Sequence, residues 1–182
     1  MRLFVAIELA AEAKDQLVAL KTELPGATWV KPAAMHLTLR FLGDQIDRIR
    51  LLPIQTALAS IKIEPFTLTV RTAGRFPERT KKPARVLWIG MADPPALMRL
   101  QAAVEQAVIA VGFPAEERAF SPHITLARLK GEERSPELEQ FLDQHKGFRA
   151  EPFTVREFFL VSSLLTPQGP NYRHEASFPL TL

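Results

Sequence analysis

Met35-His36-Leu37-Thr38-Leu39-Arg40-Phe41-Leu42 returns in the second half of the chain as Pro122-His123-Ile124-Thr125-Leu126-Ala127-Arg128-Leu129. In both copies apolar residues alternate with polar ones, and a β-strand sends successive side chains to opposite faces. Met35, Leu37, Leu39 and Phe41 are therefore expected on one face, with His36, Thr38 and Arg40 on the other. In the second copy Ile124 and Leu126 take the apolar face and leave His123 and Thr125 opposite. Each strand presents an imidazole beside a hydroxyl. A lone histidine on a sheet is often a core residue bonded to backbone, but a matched pair, each with a threonine two positions on, points to a shared site.

The regions between the copies repeat as well. Leu3 to Leu9 reads as an opening strand, Ala11 to Lys21 as a helix ended by Pro25-Gly26, and Thr28-Trp29-Val30 as a short strand before the first motif. Gly43-Asp44 closes the motif strand, and a second helix is predicted from Ile46 to Ser60 with a kink at Pro53. Phe66 to Val70 alternates like a strand. Arg85-Val86-Leu87-Trp88-Ile89-Gly90 then resembles the opening strand. A helix with Asp93 at its N-cap, Pro94 at its first position and Leu97, Leu100, Val104, Val108 and Val111 on its buried face runs to Gly112. After the second motif, Ser135-Pro136 starts a short amphipathic helix. Phe153 to Val161 and Tyr172 to Leu180 are strands around a turn at 166–170. Both halves are thus expected to run strand, helix, short strand, motif strand, helix, strand, which implies duplication with a pseudo-two-fold axis that sets the two motifs across a cleft.

Composition narrows the functional classes. At 182 residues and 47% hydrophobic content the chain is long enough for a real core in one bilobal domain, residues 1–182. No apolar run reaches the roughly 18 residues that cross a bilayer, and the opening residues read as a strand, so a soluble, intracellular, cytoplasmic protein is expected. Cysteine is absent, which removes disulfides, thiolate metal sites and a cysteine nucleophile. Net charge is only +3, but 15 of the basic residues are Arg against 8 Lys. The planar guanidinium suits phosphate and stacks on bases, so the bias leans toward a nucleotide or RNA partner. Arg71 to Arg85 carries six basic residues and one acid; it is expected as a cationic loop, with Arg75, Phe76, Arg79, Lys81 and Lys82 as candidate RNA contacts.

Two imidazoles can divide general base and general acid duty near neutral pH. A reaction that deprotonates a nucleophile while protonating a leaving oxygen, such as in-line displacement at phosphorus, needs that pairing. The threonine hydroxyls, with Arg40 and Arg128 as further candidates, can bind the non-bridging phosphate oxygens. Strict alternation places Arg40 with His36 but Arg128 opposite His123 unless a bulge intervenes. There is no Gly-x-Ser-x-Gly elbow and no Walker-type loop. A metal between His36 and His123 would lack a carboxylate from either strand, so no metal or other cofactor is expected. His145 reads as an exposed helix end and His174 as structural or rim-lining.

The paired motifs, together with Arg2-Leu3-Phe4-Val5-Ala6-Ile7, Trp29-Val30-Lys31, Gly169-Pro170-Asn171-Tyr172-Arg173 and Phe178-Pro179-Leu180, resemble the two-histidine phosphoesterase superfamily. More closely they resemble its RNA 2',3'-cyclic phosphodiesterases, also called 2'-5' RNA ligases or LigT-like proteins. The resemblance implies an α+β, bilobal fold in which two antiparallel sheets line a central cleft with helices outside. It further implies metal-independent hydrolysis of terminal 2',3'-cyclic phosphates to 2'-phosphates, with a possible reverse 2'-5' ligation. His36 would be the proton donor, His123 the acceptor, and Thr38 and Thr125 the phosphate ligands. The substrate would be RNA ends or cyclic nucleotides, and the chain a monomer without an obligate partner. Competing classes are an RNA-end or nucleotide-binding module, and a phosphodiesterase for another small cyclic phosphate such as ADP-ribose cyclic phosphate.

Overall fold

A computed structural model of the protein describes residues 1–78, 82–92, 94–130, 135–167 and 169–181. In chain order the elements are β1 (Arg2–Glu8), α1 (Ala11–Val18), β2 (Ala27–Trp29), β3 (His36–Gly43), α2 (Leu51–Ala59), β4 (Phe66–Leu68), β5 (Val70–Phe76), β6 (Val86–Met91), α3 (Pro95–Ala110), β7 (His123–Leu129), α4 (Pro136–His145), β8 (Phe153–Val155), β9 (Glu157–Thr166) and β10 (Gly169–Pro179). This is the expected α+β class. The larger antiparallel sheet has the order β10-β9-β1-β3-β7-β6-β5 with β2 added on β7, and β4 pairs β8 in a smaller one. The duplication is visible in the pairing, since β1 lies on β3 as β6 lies on β7.

The halves meet where β3 and β7 pair through Leu37 and Ile124, both fully buried. Residues that alternate with these, Leu3, Val5 and Ile7 on β1 and Leu87 and Ile89 on β6, share one core with Leu17 of α1, Leu58 of α2, Leu100 of α3 and Phe141 of α4. All four helices therefore contribute to the core behind one sheet face. The opposite face carries a small separate apolar cluster, Phe4, Ala6, Phe159 and Val161 with Tyr172 packed against it.

Alternation holds only to the middle of each motif strand. On β3, Thr38 pairs Ala6 but Arg40 pairs Val5, so Leu39 is an extra residue. On β7, Thr125 pairs Trp88 but Ala127 pairs Leu87, so Leu126 is the extra one. A bulge inverts the facing of everything beyond it. Arg40 consequently leaves the histidine face, and Arg128 joins it, the reverse of the expectation for both. The Arg40 side chain is 8% exposed; its Nε lies 2.7 Å from Glu105 Oε2 on α3, and its Nη atoms donate to Glu116 Oε2 at 2.9 Å and to the Pro114 carbonyl at 2.5 Å. It clamps β3 to α3 and to the segment after it.

Other departures have equally local causes. Pro53 is the third residue of α2, in the first turn, where a missing N–H costs no helical bond, so the expected kink has no cause there. The helix α3 starts at Pro95, one residue later than expected, and Asp93 lies outside the described residues. Ser135 does cap α4, its Oγ accepting from Leu138 N at 3.2 Å. The first part of the expected cationic loop, Arg71 to Phe76, is strand: β5 runs from Val70 to Phe76, and a bulge at Thr72 hides its alternation. The strand expected from Phe153 to Val161 is two, β8 and β9, separated at Arg156. No described helix is long and apolar enough to cross a membrane.

Removing one partner of a buried ion pair strands the other charge. Arg40→Ala is expected to lower stability by about 3 kcal/mol in urea titrations, while leaving phosphate affinity of the cleft unchanged.

Candidate active site

The cleft follows from the single pairing of Leu37 with Ile124. Counting outward from that antiparallel pair, His36 and Thr38 flank Leu37, while His123 and Thr125 flank Ile124, so each histidine lies toward the other strand's threonine. Side chains flanking a buried pair point to the opposite face. All four residues line one cavity of about 750 Å³, within the size range of small-ligand sites. Arg2, Phe4, Trp29, Lys31, Phe41 and Tyr172 are among its other walls, as is Arg128.

Both imidazoles are anchored in the same manner. His36 Nδ1 is 2.9 Å from the Ala34 carbonyl, and His123 Nδ1 is 2.7 Å from the Ser121 carbonyl. A carbonyl oxygen only accepts, so Nδ1 carries the hydrogen in each ring and Nε2 is left to exchange a proton. In both cases the anchor is two residues before the histidine, which repeats the chain duplication at atomic level.

Their surroundings differ. The His36 ring stacks on Phe4 at 4.8 Å and meets the edge of Tyr172 at 5.1 Å. Burial pushes its pKa below the usual 6.5, opposed by the Ala34 hydrogen bond and the Glu8 carboxylate and reinforced by Lys14 and Arg128. His123 meets the edge of Phe76 at 5.0 Å. Burial likewise raises the Tyr172 phenol, against the fields of Arg128 and Arg2. The fifth residue beyond each histidine completes the asymmetry: after the bulges these are Phe41 and Arg128, both on the cleft. Arg2 lies over the Phe41 ring at 4.9 Å and pairs with Asp44 at 3.0 Å.

The remaining sequence candidates divide. Phe76 shares the cleft face, beside His123. Arg75 does not: it is 8% exposed on the core side, bonded to Glu139 Oε1 at 3.3 Å and to the Pro77 and Lys82 carbonyls. Lys82 is exposed, and Arg79 and Lys81 lie outside the described residues. His174 bonds Glu8 Oε1 through Nε2 at 3.0 Å and stacks on Phe159 at 4.3 Å. His145, half-buried where an exposed position was expected, is anchored through Nδ1 to the Phe141 carbonyl at 2.8 Å. Among the described residues no group of three or more His, Asp or Glu is placed to hold a metal ion. Phe4, Phe41 and Tyr172 were not singled out from sequence; the aromatic in each flank of the motif was the available signal, and the bulge concealed it for Phe41.

A duplicated α+β unit with one anchored imidazole and one threonine from each half defines a two-histidine cleft. A family model described as the 2'-5' RNA ligase superfamily matches residues 7–166, and the chain belongs to that family. It is 31% identical over 176 residues to an RNA 2',3'-cyclic phosphodiesterase of Archaeoglobus fulgidus, covering 95% of this chain and 97% of the relative. It is 36% identical over 193 residues to a protein of the same name from Thermus thermophilus, covering 99% and 90%. The crystal structure of E. coli LigT complexed with 3'-AMP superposes with a TM-score of 0.81 at 29% identity, covering all of this chain and 98% of that one.

Because its pKa is lower folded than unfolded, protonating His36 favours the unfolded chain, so its contribution to stability is full above about pH 6.5 and is lost as pH falls below that. Imidazole NMR is expected to show His36 titrating below 6.5 in the free protein and shifting upward when inorganic phosphate fills the cleft, since an adjacent anion favours imidazolium.

Proposed function

We propose that the protein, as a single bilobal catalytic domain, hydrolyses terminal 2',3'-cyclic phosphates of RNA to 2'-phosphates without a metal ion. The observation that carries this reading is the pair of Nδ1-anchored imidazoles facing one cavity with a threonine beside each. The names of the relatives support the substrate class.

In the proposed reaction water attacks phosphorus in line with the P–O3' bond. His123 Nε2 takes the proton from water as the P–O bond forms, and His36 Nε2 gives its proton to O3' as the P–O3' bond breaks. The product keeps phosphate on O2'. Thr38 and Thr125 donate to the non-bridging oxygens, and Arg128 adds a fixed positive charge where negative charge accumulates. Arg40 has no part in this, being held in its ion pairs on the other face. The neutral resting ring of His36 is compatible with its role as acid, because the arriving phosphate anion stabilises the imidazolium that must donate. A 5'-hydroxyl in the place of water would give a 2'-5' phosphodiester by the same proton transfers, which accounts for a ligase direction.

Incubating the protein with EDTA and a 2',3'-cyclic nucleotide is expected to yield the 2'-monophosphate; the 3'-isomer as product would overturn the assignment of the leaving oxygen. His36→Ala and His123→Ala are each expected to lower kcat/KM by about 10²–10⁴. Arg128→Ala should cost at least about tenfold, against no comparable loss for Arg75→Ala. ADP-ribose cyclic phosphate, turned over faster than RNA-derived substrates, would move the assignment to another small cyclic phosphate.

A further inference from the structure

Beyond His123 the same sheet face continues, and the cleft does not account for what it carries. His123 pairs Gly90 on β6, Gly90 pairs Arg71 on β5, and Arg71 pairs Arg149 in an isolated antiparallel bridge. Cross-strand partners point to the same face. The row His123, Gly90, Arg71, Arg149 therefore leads outward from the catalytic imidazole, and strand spacing sets the two arginine backbones about 10 and 14 Å from it.

The arginines are there because of a strained backbone. Strict alternation would put Arg71 on the core side with Ala73 and Arg75; Thr72 is an extra residue, at φ +62°, and turns Arg71 outward. A β-branched residue at positive φ is costly and must be held. Its N–H donates to the Phe148 carbonyl at 3.0 Å and its Oγ1 to the Lys146 carbonyl at 3.3 Å, within the segment that also delivers Arg149. Like charges directly opposite one another in a sheet destabilise it. Both arginines are nonetheless exposed; Arg71 Nε donates to the neighbouring Thr72 Oγ1 at 3.4 Å, and among the described residues neither arginine has an ion pair.

Beside this row lies an aromatic floor. The Trp88 indole lies across Gly74, where a Cβ would come within 2.2 Å of the ring, and reaches Gly90, where a Cβ would lie 3.3 Å from it. Phe76 sits 5.2 Å from Trp88 and 5.0 Å from His123. A ring surface next to exposed guanidinium groups that have no carboxylate partner among the described residues is the chemistry that takes a base and the phosphates of a single strand.

We infer that the β5–β6 face, through Arg71, Arg149, Trp88 and Phe76, holds the nucleotides adjoining the reacting end of an RNA strand. This rests on the RNA reading of the cleft and deepens it: a cyclic mononucleotide fills the cleft alone, whereas an oligonucleotide also engages the shelf.

The test compares binding of a 2'-phosphorylated oligoribonucleotide and a 2'-mononucleotide to the wild type and to Arg71→Gln/Arg149→Gln, a measurement that does not depend on turnover. Oligomer affinity is expected to fall about tenfold and its log–log salt slope to drop by about 1.4, as for two lost single-strand phosphate contacts, with mononucleotide affinity unchanged. In a Trp29→Phe background the oligomer should quench Trp88 emission more than the mononucleotide does. Equal losses for both ligands, no loss for either, or no greater quenching by the oligomer would overturn the shelf. An equal loss in binding poly-glutamate would also overturn it, since the pair would then be a general anion surface. Failure of the cleft reading gives a different result, the absence of hydrolysis with oligomer binding still sensitive to the two arginines.

Discussion

The pairing of Leu37 with Ile124 is the constraint on which the site depends. These two fully buried residues join strands from the two halves at one point, and the strands are not paired with each other on either side of it. Burying each apolar side chain stabilises the fold by about 1.5–3 kcal/mol, and the period of a strand then leaves the neighbours of each no choice of face. The polar flanks of a buried pair become the lining of an opening. An imidazole and a hydroxyl from each half thus converge without any long loop to position them, and a site built on strands is held more firmly than one on loops.

Bulges make the second half of each motif useful. A guanidinium left on the histidine face of β3 would have put a cation on each side of the reacting group. The extra Leu39 sends Arg40 instead into ion pairs with Glu105 and Glu116 and brings Phe41 to the cleft; the extra Leu126 brings Arg128 there. A pseudo-symmetric frame becomes an asymmetric pocket, with an aromatic wall on one side and a fixed charge on the other. His36, enclosed by Phe4 and Tyr172, and His123, beside Phe76, accordingly have different surroundings. Two groups of one chemical kind in different environments are what the proposed division into proton donor and acceptor requires.

The same device recurs at Thr72, where an extra residue turns Arg71 from the core side to the face that carries the histidines. In each case one inserted residue changes which charge lies on the histidine face. Gly74 and Gly90 serve the same surface from below, by leaving space for the Trp88 ring.

The repeat of His-x-Thr-Leu, the apolar alternation around it and the helical spacing of Leu97, Leu100, Val104 and Val108 were enough to define the fold class, the duplication and the four central side chains. These are local signals, since periodicity is set by the geometry of a single element. Register is not local. Whether Arg40 or Arg128 faces the histidines depends on which residue of the neighbouring strand each one meets, and the bulges at Leu39 and Leu126 arise from pairing with β1 and β6. For the same reason Arg75 read as a surface cation and proved buried against Glu139, and the row from His123 to Arg149 was invisible, its successive members lying 33, 19 and 78 residues apart along the chain. The chemistry available to this protein was thus written in its residues; which of its charges confront the substrate was decided by the pairing of strands, because one extra residue in a ladder inverts every side chain that follows it.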